Sequence, residues 1–152
     1  MEYLFCYPVF LREIGTAKIK FEDAMRIKEF IAQALEIEID DVETLYYKKE
    51  DSHFETKLKA EKEREGFNYL VWVTIISNDT AKVIVEGKLV KKIGVGLSQY
   101  PSFVKEMVDE IFSSSFYKDL ISVRKEKLEE ICKKLCDEIE TYIGLEEYER
   151  SI

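Results

Sequence analysis

Two cysteines four residues apart, Cys132 and Cys136, stand in a run rich in Lys, Glu, Leu and Ile. On a helix that spacing puts both sulfurs on one face, which is half of what a zinc ion asks for. Zinc takes three or four ligands. Cys6 would have to supply the third and His53, the only histidine, the fourth, both from distant parts of the chain. A Cx3C pair is not a common zinc spacing, and Ile131 and Leu135 beside it point to a buried apolar stripe with the thiols as small hydrophobes. The expectation is no metal and no cofactor. A disulfide from Cys6 to Cys132 or Cys136 is the other use these three sulfurs invite.

His53 alternates with Glu55 and Lys57, which places it on a wet strand face. A catalytic histidine needs a partner within hydrogen-bond reach and commonly a third group to orient it, and nothing near His53 in sequence identifies either. The stretch "KKIGVGLSQYPSF" from Lys91 to Phe103 has the glycine content of a phosphate-binding loop. It lacks the Lys-Ser/Thr that ends a Walker loop and the third glycine of a dinucleotide fingerprint. It reads as a joint, with Gly96 and Ser98 at a helix start whose free amides are the place for an anion. The 31 carboxylates lie mostly in mixed-charge runs, the pattern of solvated faces. No catalytic motif emerges, and the expectation leans to a chain without intrinsic catalysis.

The aromatic residues say more. Tyr46, Tyr69, Trp72 and Tyr100 are the candidates for a ligand or partner surface. Tyr69 and Trp72 lie on one predicted strand and point to opposite faces of it, one of which can belong to the core and the other to a contact.

The elements that must position these residues follow from periodicity. Glu2 to about Leu11 alternates as a strand, with Pro8 marking it as an edge. Residues 20–36 carry apolar positions at helical spacing, with Glu22 and Asp23 in the first turn. Four strands follow: Val42–Glu50, His53–Glu63, Phe67–Ser77 and Thr80–Ile93. The second sends Phe54, Thr56, Leu58 and Ala60 one way and His53, Glu55, Lys57, Lys59 and Glu61 the other. "FNYLVWVTIIS" is apolar on both faces, so it should lie centrally in the sheet or be covered on both sides. Glu65-Gly66 and Asn78-Asp79 read as hairpin turns, the latter of two residues. Gly87 either bulges its strand or splits it. Pro101 opens a helical region that "SSSF", Ser113 to Phe116, interrupts; a second helix then runs to about Ile143, capped by Gly144.

The fold class is therefore α+β: a two-layer domain over 1–144 in the order β-α-β-β-β-β-α, with the last helix long and kinked, and an acidic tail at 145–152. That order resembles the TATA-binding-protein repeat and the helix-grip folds. The first resemblance implies an open sheet face as binding surface; the second implies an apolar cavity between sheet and C-terminal helix.

Composition narrows the function classes. The chain has 152 residues, 36% of them charged, and a net charge of −8. An acidic chain opposes phosphate backbones, so nucleic acid is disfavoured as a partner; Lys82, Lys88, Lys91 and Lys92 are the best candidates for a basic patch. No apolar run approaches membrane-spanning length and no signal peptide is visible, which reads as a cytoplasmic protein. Abundant Lys and Glu with only Gln33, Gln99, Asn68 and Asn78 as amides matches a hyperthermophile's usage. The reading is a non-catalytic binding or assembly domain that uses its sheet face or long helix to contact a protein partner or a second copy of itself as a homodimer. The alternative is a helix-grip protein, or enzyme, with a small apolar ligand in its cavity.

Overall fold

The computed structural model describes residues 2–16, 19–50, 53–93 and 101–151; at 2–5, 92–93, 145–151 and six positions of 104–113 it describes the backbone alone. Five strands form one antiparallel sheet: β1 (Glu2–Thr16), β2 (Glu43–Glu50), β3 (His53–Arg64), β4 (Phe67–Ser77) and β5 (Ala81–Ile93), in the order β1-β5-β4-β3-β2. Helix α1 (Phe21–Leu35) follows β1, and α2 (Ser102–Ser113) and α3 (Ser115–Ser151) follow β5. The class is the expected two-layer α+β.

Both α1 and α3 pack on one face of the sheet. The alternate strand residues that face them, such as Leu58, Val71, Val73, Val83 and Val85, are buried with Ile27, Ile31 and Leu35 of α1 and Leu128, Leu135 and Ile139 of α3. The helices are tied to each other at the start of α1. Asp23, almost fully buried, accepts from the Lys20 amide (2.8 Å) and from the Tyr142 hydroxyl of α3 (3.0 Å). The first-turn carboxylate thus caps its own helix and clamps α3. Phe30 meets the Tyr142 ring edge-on at 5.7 Å.

Three local expectations change. The β4–β5 connection is a three-residue loop, Asn78 to Thr80, because Ser77 pairs with Ala81. None of its residues takes the positive φ that a two-residue type I′ turn requires. The β3–β4 turn does: Glu65 at φ 51° and Gly66 at φ 83° make the two-residue turn, with Arg64 paired to Phe67. Strand β5 runs unbroken through Gly87, and the irregularity falls opposite it, between Pro8 and Phe10 of edge strand β1. Gly144 does not cap α3, which continues to Ser151 because good helix formers flank the glycine on both sides. The interruption at "SSSF" is Ser114: it leaves helical geometry, and its hydroxyl accepts from the Tyr117 amide to start α3.

Gly87 is where α3 lies closest to the sheet. A Cβ built there would stand 2.6 Å from Cys132 Sγ and 3.5 Å from Phe10 Cβ. The glycine is needed for close approach, one of the two roles glycine takes within a strand.

Candidate contact surface

The second sheet face carries the arrangement with most chemical content. Residues paired directly across antiparallel strands project to the same side, so the registers build this face rung by rung. Glu55, Ile76 and Lys82 form the first rung, and Lys57, Thr74, Ile84 and Glu13 the second. Lys59, Trp72 and Glu86 form the third, and Glu61, Leu70 and Lys88 the fourth. Each rung has an apolar or neutral centre on β4. Beside it β3 and β5 carry opposite charges in the first, third and fourth rungs, whereas in the second the centre extends to Ile84 and Lys57 is balanced by Glu13 of β1. Strand β2 adds Lys48 to the first rung and Glu43 to the third. The centres are half-buried at Trp72, Thr74, Ile76 and Ile84, and Leu70 is 1% exposed.

The charged side chains lie down on the apolar centre. Lys88 Nζ sits 4.8 Å and Lys57 Nζ 5.7 Å from the Trp72 ring centroid, close enough for the ring to attract the ammonium groups. At the β2 edge Tyr46 donates to Glu55 Oε1 at 3.1 Å, while Lys48 Nζ lies 5.4 Å from the Tyr46 ring. Burial first, and then this bond to a carboxylate, raise the Tyr46 pKa. Lys82 pairs with Glu13 at 3.3 Å. The alternation in β5 carried the signal for Glu86 and Lys88 as partners of Trp72, but only the register joins them.

Of the predicted surface residues, Tyr46 and Trp72 share this face. Tyr69 is on the helix side, 0% exposed, and burial raises its pKa against the opposing influence of Arg64. Tyr100, Gly96 and Ser98 lie outside the described residues. The basic patch is divided between faces: Lys82 and Lys88 are here, whereas Lys91 is on the helix side, donating to the Gly66 carbonyl. Lys92 has no described side chain.

The sulfurs do not gather. Cys132 and Cys136 are fully buried on the sheet-facing side of α3, whereas Cys6 is exposed. Tyr7, next to Cys6, faces α3, where Lys125 Nζ is 4.1 Å from its ring centroid. Alternation therefore sends Cys6 to the opposite side of the sheet. The disulfide expectation fails on this geometry: the sheet stands between Cys6 and both helix cysteines, and all three are free. Burial pushes the Cys132 thiol up to about 12, helped by Cys136 and Glu129, and the Cys136 thiol up to about 11. Metal-binding thiolates are the form such a site disfavours. Among the described residues no three His, Cys, Asp or Glu side chains converge as a metal site.

His53 lines a surface hollow of about 320 Å³ with Lys48, Glu50, Glu55 and Asn78 at the β2–β3 end, and its Nδ1 has no hydrogen-bond partner. Among the described residues lining that hollow there is no Ser, Thr or Cys. A larger apolar groove of about 410 Å³ lies on the surface between α1 and α3, lined by Phe30, Thr141 and Tyr142. On α2, Phe103, Met107 and Ile111 recur every fourth residue and are 53–63% exposed.

The chain matches no protein-family model, no curated protein and no solved structure. None of its helices, among the described residues, is long and apolar enough to cross a membrane.

Proposed function

We propose that this chain is a non-catalytic binding or assembly domain whose contact surface is the sheet face opposite α1 and α3. One observation carries the reading. The central strand β4 presents Trp72 and Ile76 on a face against which neither α1 nor α3 packs, beside Ile84 of β5. A sheet face meant only for water alternates to polar residues; this one keeps an apolar centre and confines its charges to the flanks. That is the composition of an interface patch, with an aromatic anchor at its middle and a polar rim.

The test separates a contact surface from a second core. The pair Trp72→Ser and Ile84→Thr removes the anchor from the centre. Measured at high dilution, the melting temperature is expected to fall by no more than about 8 °C, since the two half-buried residues together cost about 1–2 kcal/mol and a domain of this size loses about 2–4 °C per kcal/mol. Val73→Thr, at a 0% exposed core position of the same strand, is the control. If the double variant melts as early as a core variant or fails to fold, the face serves the monomer's own stability and the reading is lost. Trp72 is the only tryptophan, so its emission reports directly whether a partner engages the face.

A further inference from the structure

We infer that the occupant of the open sheet face is a second copy of this chain, packed about a twofold axis that lies in the interface and runs along β4. The inference rests on the reading of that face as a contact surface and assigns its partner and geometry.

The charge order of the rungs carries it. Along β3 the signs read minus, plus, plus, minus at Glu55, Lys57, Lys59 and Glu61. On β5 the same rungs read plus, neutral, minus, plus, at Lys82, Ile84, Glu86 and Lys88, with Glu13 one strand further out on β1. A twofold axis along β4 keeps each rung at its own height and lays β3 of one copy over β5 of the other. Three of the four β3 charges then meet their opposites on β5: Glu55 stands over the partner's Lys82, Lys59 over the partner's Glu86 and Glu61 over the partner's Lys88, while Lys57 stands over the partner's Ile84. An axis across the strands reverses the order instead. It sets Lys57 over the partner's Lys59 and Glu55 over the partner's Glu61, like upon like. Juxtaposed like charges are strongly selected against at interfaces, so the pattern chooses between the two symmetries. The chosen one keeps the strands of both sheets nearly aligned, the ordinary way two sheets pack face to face. Sheet twist displaces the outer rungs most and the two central ones, which hold Lys59 and Glu86, least.

Net charge agrees. The chain carries −8, yet the rungs cancel, so the acidic excess lies elsewhere and does not oppose close approach here. A balanced face has no surplus of cations with which to neutralise a nucleic-acid backbone. It fits a partner with the same balanced pattern, and the chain itself has one.

The test is a charge exchange between two variants. By light scattering, the wild-type chain is expected at twice its mass of 17.9 kDa. Lys59→Glu inverts two attractive pairs in the dimer, as does Glu86→Lys. Each should raise the dissociation constant roughly 100-fold and run as a monomer. Mixed in equal amounts, the two variants should recover a dimer, because Glu at 59 of one then faces Lys at 86 of the other, and the second pair is the wild-type Lys59 over Glu86. No effect within one chain can produce that recovery. Melting curves confirm that each variant is folded. A monomeric wild type at high micromolar concentration overturns the second-copy inference, while the Trp72 and Ile84 experiment still decides whether the face is a contact surface. A dimer indifferent to both charge reversals but broken by Met107→Glu places the interface on α2 and overturns the inference. Two monomeric variants that stay monomeric on mixing overturn the proposed axis.

Discussion

Replacing Gly87 by alanine tests how tightly α3 is seated on the sheet. The added Cβ would stand 2.6 Å from Cys132 Sγ, against an ordinary contact of 3.4 Å or more, so about 1 Å must be recovered. The surroundings resist it. Phe10 Cβ at 3.5 Å and Leu128 Cγ at 3.7 Å wall the position, and Cys132 is 0% exposed, with no solvent to move into. Overpacking of this kind costs about 1–3 kcal/mol, and about 2 kcal/mol corresponds to a fall in melting temperature of about 4–8 °C. The structure also says how to relieve it. Cys132→Ala removes the sulfur, so Gly87→Ala made in that background should be close to neutral. Any net change should be a gain of a few tenths of a kcal/mol, since Gly87 lacks a positive φ and alanine narrows the unfolded ensemble. Urea unfolding of the wild type, both single variants and the double closes the cycle. A coupling within about 0.5 kcal/mol of zero is what independent sites give, and it would refute the close approach. So would a Gly87→Ala variant as stable as the wild type.

Two further outcomes follow from buried groups. The Cys132 thiol, raised from 9.0 to about 12 in the folded chain, contributes stability that is complete below pH 9 and is lost as pH rises towards 12, because the unfolded chain gives up the proton first. Unfolding free energy should therefore fall above pH 9 by up to about 1.4 kcal/mol per pH unit from this group. Cys132→Ala should flatten that slope; an unchanged alkaline limb would show the thiol ionises freely. Asp23→Ala removes the acceptor of both the Lys20 amide and the Tyr142 hydroxyl and should cost about 2–3 kcal/mol, against about 1 kcal/mol for Tyr142→Phe. Equal losses in denaturant melts would mean that the helix cap contributes nothing.

Much of this architecture was legible in the residue pattern. The alternation of β3 named its buried and exposed sets residue by residue, and the burial of Phe54, Thr56, Leu58 and Ala60 follows it. The helical period of residues 20–36 matched α1 to within a residue at each end. Capping was less legible. Gly144 has the type of a helix stop, but one glycine costs a helix only about 1 kcal/mol. The fate of the three cysteines depended on which side of the sheet each strand turned, and spacing along the chain does not encode that.

The composition of the contact surface shows where the sequence stops and the fold takes over. Alternation alone determined that Glu86 and Lys88 share one face of β5 and that Val83 and Val85 share the other. It did not determine which pair stands beside Trp72. With a two-residue turn at Asn78-Asp79, Ser77 would pair with Thr80, and Trp72 would face Val85. The observed loop of three residues pairs Ser77 with Ala81 and Trp72 with Glu86. A shift of one residue in register turns every side chain of a strand to the opposite face. The choice is made by burial: only this register puts Val83 and Val85 under the helices, at 0% exposure, and leaves the charges in water. The charged rungs were thus written in separate strands, but their alignment on one face was decided by the core on the other side of the sheet.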